Sequence, residues 1–425
     1  MNTNTPEQLQ KQAVAATEAN QFWEAVELYT QILSTTAPHT EDQSQKEIRL
    51  AALKERGRLL GLLGEQAAAL AAFEQYYLEA GNSFHAVEAL VLIGNGSRNL
   101  GQYQRAIKAY QEALDFAEAI NYTAGRAKSL AGYGSTFLLM GHMHEARLHL
   151  ERASALFAQL NDAVQQVHTL NILGVAHALT GEMDKAIGAF EKAILLAQEN
   201  GRIENHISAL NNLGECHQQL HNFQQATEHH KLALQLAKSA QLRILESDIC
   251  RNLGVDLVHL GDVENGLAYL HRALALGDET EDLELRLNTL YNLALTELGR
   301  SNVAMAETYA AELNETAASR NLQSHLARAN HILGLIAKKQ GNIQSAQEHW
   351  QQALFLAHET NQRMLLWQIH AELAELADNA NLAAVHNRIA AEVIQQIAEP
   401  IENEQIKEAF LQAPTIKAII EKEII

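Results

Sequence analysis

Proline is almost missing from this chain of 425 residues: only Pro6, Pro38, Pro400 and Pro414 occur, and residues 43–399 contain none. That long interval lacks the residue that most strongly breaks helices, so a continuous all-helical body is expected. Cysteine is scarcer still. Cys216 and Cys250 fall at apolar or small-residue positions, where a free thiol packs as a small hydrophobe. Two thiols make neither a disulfide framework nor a metal quartet, and a reducing, cytoplasmic compartment fits. Basic charge is in deficit, with 32 Lys and Arg against 51 Asp and Glu for a net charge of −19. No block of Lys or Arg forms a patch, which argues against nucleic acid or an anionic membrane as partner. No window approaches the ~20 apolar residues of a membrane span, and residues 1–12 are polar, without the apolar run of a secretion signal.

What the chain has in abundance is repetition. A small residue recurs every 40 positions as Gly94, Gly134, Gly174, Gly214, Gly254, Ala294, Gly334 and Ala374. Seven positions after each of the first seven stands Gly101, Gly141, Gly181, His221, Gly261, Ser301 or Gly341, and five further on Ala106, Ala146, Ala186, Ala226, Gly266, Ala306 or Ala346. A fixed long period marks a solenoid, in which each unit packs on its neighbours and no unit buries its apolar face alone.

Residues 204–240 show the logic of one unit. Leu210, Leu213 and Leu220 recur at helical spacing, and Gly214 leaves room for a partner helix. His221 and Asn222 interrupt the pattern as a tight turn. Ala226, Ala233, Leu234 and Leu236 then mark the apolar face of a second helix running back. The expected fold is therefore all-α, a solenoid of stacked antiparallel helix pairs.

Three regions are expected. Residues 1–85 hold two irregular units, Ala13/Asn20/Ala25 and Gly57/Gly64/Ala69, separated by a polar loop over 34–47; residues 86–365 form the regular array; and 366–425 comprise a degenerate last repeat (Ala374, Asn381, His386) with C-terminal capping helices.

The spacing Leu170-Leu173-Gly174, Gly181, Met183 and Ala186, repeated along nearly the whole chain, resembles the tetratricopeptide repeat family in its long-helix, 40-residue form. The family's proline near the end of the second helix is absent, as in kinesin light chains. The resemblance implies a right-handed superhelix whose first helices line a concave groove holding an extended or helical segment of another protein. The stretch from Ile397 to Pro414, with Glu408-Ala409-Phe410-Leu411-Gln412-Ala413, resembles the end of repeat regions in large bacterial signalling proteins, which implies a scaffold or sensor acting on a partner in trans. The family's clamp for chaperone tails is not reproduced: Lys54, Asn95 and Lys128 fit it, but Leu92 and Gly132 do not.

Family geometry assigns the groove to first-helix columns, here Asn95, Lys128, His168, Asn171, Asn211, Asn212, Arg251, Asn252, Asn288, Tyr291, Asn292, Arg328 and His331. An amide both donates and accepts, so the register Asn212, Asn252, Asn292 suits the backbone of an extended segment; the same amides could instead bond neighbouring helices and fix their packing. On these columns Lys54, Arg58, Arg98, Lys128, Arg251, Arg328, Lys338 and Lys339 outnumber Glu55, Glu88, Glu215 and Asp248, so a partner of acidic character is expected.

No catalysis, metal or cofactor is expected. His217 with His221, His142 with His144, and His229-His230 lack a His-Glu-x-x-His frame, and the glycines stand singly without a phosphate-binding loop. The aliphatic end, Ala418-Ile419-Ile420 with Ile424-Ile425, is read as a lid on the last repeat or a surface for a second copy of the chain. The function expected is a non-catalytic protein-binding scaffold or adaptor. The alternative is a peptide-responsive sensor that changes superhelix shape and signals to an effector.

Overall fold

The computed structural model describes residues 5–423, and these are helix and turn with no strand among them. Ile424 and Ile425 lie outside the described residues. The chain divides into two compact units, residues 1–176 and 177–425. The first holds α1 (Pro6–Glu18), α2 (Phe22–Thr35), α3 (Gln43–Leu62), α4 (Gln66–Ala80), α5 (Phe84–Asn99), α6 (Tyr103–Ala119), α7 (Thr123–Leu139) and α8 (Met143–Gln159). The division falls within α9 (Ala163–Leu179). The second unit holds α10 (Met183–Glu199), α11 (Ile203–Gln219), α12 (Phe223–Ser239), α13 (Arg243–His259), α14 (Val263–Thr280), α15 (Leu283–Gly299), α16 (Val303–Ser319), α17 (Gln323–Lys339), α18 (Ile343–Glu359), α19 (Arg363–Glu375), α20 (Ala380–Ala398), α21 (Glu404–Leu411) and α22 (Pro414–Glu423).

Each unit is a solenoid of antiparallel helix pairs, and the sequence explains both of its turns. The turn inside a pair needs one residue in the left-handed region, supplied by Gly101 or Gly261 at φ 71° and 88° and, against the usual steric preference, by His221 at φ 56°. The turn between pairs uses Asn121, Asn161, Asn321 and Asn361 at φ 53–55°; asparagine tolerates this region best among residues with a side chain.

The repeating small residue on each first helix is a slot. A Cβ on Gly94 would lie 2.5 Å from the Tyr110 ring, and one on Gly334 would lie 2.2 Å from Trp350 Nε1. The bulky partner stands 16 residues downstream on the second helix, and Ala294 and Ala374, the exceptions, have only Ala310 and Ala390 in that place. This pairing fixes how closely the two helices of a unit approach.

The two irregular N-terminal pairs, α1 with α2 and α3 with α4, carry the expected turn residues: Asn20 and Gly64 both have positive φ. The irregular connection between them is shorter than 34–47. Helix α2 continues through Thr35, and Asp42 caps α3 by accepting from the backbone amides of Ser44 and Gln45, leaving 36–42 outside helices. At the other end, α22 packs on α20, with Ile416 fully buried and Ile419 at 7% exposure. Ile416 and Ile419 are thus used within the chain, whereas Ala418 is exposed and Ile420 half-buried.

Candidate partner-binding face

In the second unit, successive first helices touch: α11 packs on α13, α13 on α15, and α15 on α17. Their shared face is therefore continuous. On it, α11, α13 and α15 line a cleft of about 320 Å³. Asn211, Asn212 and Asn288, three of the residues expected from sequence, meet there with Ser208, Asp248, Asp282 and Glu284, over a floor that includes Ile207, Leu245 and Leu285. Ile244 stands at the same cleft with 73% of its surface exposed. A cleft with an apolar floor and a few polar groups is the usual form of a recognition site.

The ladder of amides is uneven. Asn212 and Asn292 are half-buried, whereas Asn252 has no exposure and donates to Asn211 Oδ1 at 3.0 Å and to Glu215 Oε1 at 2.7 Å. Asn252 fixes packing beneath the face. Beside it Arg251 donates to Asp248 Oδ1 at 2.7 Å and to Glu215 Oε1 at 3.4 Å. Burial opposes charge on Asp248, yet Arg251 and the amide of Asn211 hold its carboxyl below the usual range. Burial, then the charge of Asp248, pushes Glu215 upward against the pull of Arg251.

A second cluster lies on α15 and α17. Tyr291 Oη and His331 Nδ1 are 2.9 Å apart, the Arg328 guanidinium sits 5.9 Å from the Tyr291 ring centre, and Arg328 donates to Asn288 and to Gln362 Oε1. Burial lifts the Tyr291 hydroxyl to about 12 and lowers His331 to about 4. Burial, then the neighbouring His386, likewise lowers His370 to about 4.

Because an unfolded histidine titrates near 6.5, the unfolded chain binds more protons than the native one between about pH 4 and 6.5. Stability is complete above that window and is lost as pH falls through it. Urea midpoints at pH 7.5, 6.0 and 5.0 should fall in order, and His331→Gln should flatten the trend.

Within the first unit the remaining candidates have separate roles. Asn95 Oδ1 accepts from Tyr110 Oη at 2.7 Å, Lys128 lies 3.4 Å from Glu88, His168 is exposed, and Asn171 is buried. Glu88 is also bonded by Lys54 at 2.7 Å.

This bears on the expected acidic partner. Of the eight cations counted on first-helix columns, Lys54 and Lys128 are paired to Glu88, Arg58 to Glu55, Arg251 to Asp248 and Glu215, and Lys338 to Glu372 and Glu375. Most of the excess is taken up within the chain. Sequence reasoning also missed Ile244 and Glu284, which stand one helical turn before Asp248 and Asn288 in the same 40-residue register. Reading each column four residues further upstream would have found them.

Of the paired histidines, His217, His229 and His230 have structural partners. His230 fills the slot of Gly214 without exposure, bonded to Asp256 Oδ2 at 2.6 Å and to the Asn211 carbonyl at 3.2 Å. His217 and His229 stack with ring centres 5.3 Å apart. Among the described residues no group of three or more His, Cys, Asp or Glu is arranged to hold a metal ion, and no helix is long and apolar enough to cross a membrane.

Comparison with known proteins agrees with this architecture. Residues 86–159 and 165–239 match the family model of the tetratricopeptide repeat. The Tonsoku-like protein of Mus musculus is 24% identical over 350 residues, 76% of this chain and 25% of its own length. The chain spans 25–30% of the length of the curated relatives it matches. The crystal structure of apo RapI is similar in fold, with a TM-score of 0.64 at 14% identity, covering 84% of this chain and 99% of that one. So is a Rap protein complexed with competence and sporulation factor, with a TM-score of 0.56 at 14% identity over 84% of this chain and 99% of that one. Residues 86–159 and 165–239 are thus similar to tetratricopeptide repeats, and the 40-residue period with its slotted helix pairs continues beyond them to Gly334 and Trp350.

Proposed function

We propose that this chain is a non-catalytic interaction protein that holds a segment of another polypeptide on the first-helix face of residues 177–425. The observation that carries the reading is the cleft of α11, α13 and α15, where Asn211, Asn212 and Asn288 surround an apolar floor beside the exposed Ile244. Amides serve the backbone of a bound segment, and the floor takes its apolar side chains. An acidic segment would meet Asp248, Asp282 and Glu284 here, so the cleft favours a neutral or basic one. The alternative of a peptide-responsive sensor draws support from the fold shared with a Rap protein complexed with competence and sporulation factor.

The test is site-specific photocrosslinking in the native cell. A benzophenone amino acid replaces Ile244 in one variant and Phe355, 66% exposed on second helix α18, in another. A discrete adduct from position 244 alone, weakened at least tenfold by Asn212→Ala with Asn288→Ala, is the expected result. Adducts from neither position, or equally from both, would count against the cleft.

A further inference from the structure

After α20 the chain turns at Pro400, and residues 397–412 return to the turns inside the pairs near 181 and 221. Lys185 Nζ donates to Glu402 Oε1 at 2.8 Å, across 217 positions of sequence. Asp184 Oδ2 accepts from the Asn403 amide at 3.1 Å. The Pro400 ring lies 3.3 Å from where a Cβ on Gly181 would be. Phe410, the one buried residue of α21, has no exposure, and its ring centre is 6.3 Å from that of His221, which is 6.2 Å from that of Trp367. His221 occupies a left-handed turn position that five of the seven units give to glycine. Its ring forms part of the seat for the tail, which accounts for the departure.

We propose that residues 397–412 form a detachable clasp, joining the last repeat of the 177–425 unit to its first ones and setting the curvature of the first-helix face between them. Three features make the closure reversible. Its helix is eight residues long and buries only Phe410, and the turn before it adds Ile401. Its polar contacts lie in exposed surroundings, where ion pairs contribute little. Two atoms at the seam, Trp367 Nε1 and Asp184 Oδ1, are buried with no hydrogen-bond partner, a penalty that the open state avoids. Pro400 lies within the moving segment and Pro414 just beyond it. Helices α11, α13 and α15 lie between the joined ends, so a ligand that prefers one curvature shifts the clasp, and the clasp shifts the ligand's affinity by the same factor.

The test uses the full chain with Gly181→Cys and Pro400→Cys. The Cβ positions are 3.6 Å apart, within the range of a disulfide. The native thiols are buried, which pushes Cys216 to about 12 and Cys250 to about 11, so neither competes as a thiolate. Mild oxidation should give a near-complete intramolecular crosslink, slowed at least tenfold by Phe410→Ala. Hydrogen exchange at 404–411 should be at least tenfold faster in the reduced protein than in the crosslinked one. A folded protein that does not crosslink overturns the docking, and equal exchange in both forms overturns its reversibility. Because Gly181 has φ 83°, cysteine there is strained, so a second variant stands beside it. Lys185→Glu should raise exchange at 404–411, and adding Glu402→Lys should restore it; no change in either variant also counts against the clasp.

Discussion

Arg49→Ala is expected to destabilise the 1–176 unit by about 3–5 kcal/mol, the usual result of removing one partner from a buried ion pair. Arg49 and Glu79 are 4% and 6% exposed, and the guanidinium meets the carboxylate through two bonds of 2.5 and 2.9 Å. Its remaining nitrogen donates to the carbonyls of Leu33 and Thr36 at 2.7 and 2.8 Å. One side chain on α3 therefore satisfies the end of α2 and neutralises α4. Without it, Glu79 is left charged in a dry place and two carbonyls lose their donor. Urea denaturation, followed by hydrogen exchange of α3 amides, measures the effect. Arg49→Met combined with Glu79→Leu should recover much of the loss, since two apolar side chains leave no orphan charge. An Arg49→Ala variant within 1 kcal/mol of the parent would show that water reaches this pair.

Asp256→Ala should also be severe in the other unit, at about 1–3 kcal/mol for each of the two buried partners, His230 and Gln218, that it leaves without an acceptor. The pair it forms with His230 has no exposure on either side, and Gln218 also donates to Asp256, at 2.8 Å. The register supports the assignment. Where the other units have Gly96, Thr136, Ala176, Cys216, Thr296 and Ile336, this one has an aspartate, and it is the unit whose neighbour places His230 in a slot held elsewhere by Tyr110, Phe190 or Trp350. The polar pair is therefore one coordinated departure from the repeat. His230→Phe with Asp256→Thr restores the common pattern and should fold at least as stably as the parent, whereas either change alone should not. Thermal melting of the three variants decides it.

Much of this architecture was legible in the chain because a period of 40 fixes which residues share a helix face. The turns at Gly101, His221 and Gly261, and the buried Ala226 and Leu234, follow from that period alone. Interactions that the period cannot encode were hidden. The partner of Gly334 is Trp350, which becomes apparent only once the crossing of the two helices is known. Asn212 and Asn252 are identical in register yet differ in exposure, because Glu215 and Asn211 draw one of them inward. Residues 397–412 end over 181–185 for reasons of curvature, a quantity that accumulates along the stack and is written at no single position. The cleft was half visible: its amides stood out as a column, while Ile244 and Glu284 belonged to a turn that column did not include.

The slot joining Gly94 to Tyr110 or Gly334 to Trp350 lies wholly inside one helix pair. An in-frame gain or loss of one complete pair, cut at the asparagine turns, therefore carries its lock and key together, and the array can lengthen or shorten by recombination with few lethal junctions. Contacts that cross between pairs must be re-formed at a new junction, as where Asn211 and His230 reach forward to Asp248 and Asp256 or Tyr291 meets His331. A crossover at such a seam separates donors from acceptors, so the cost of gaining or losing a pair depends on where the cut falls.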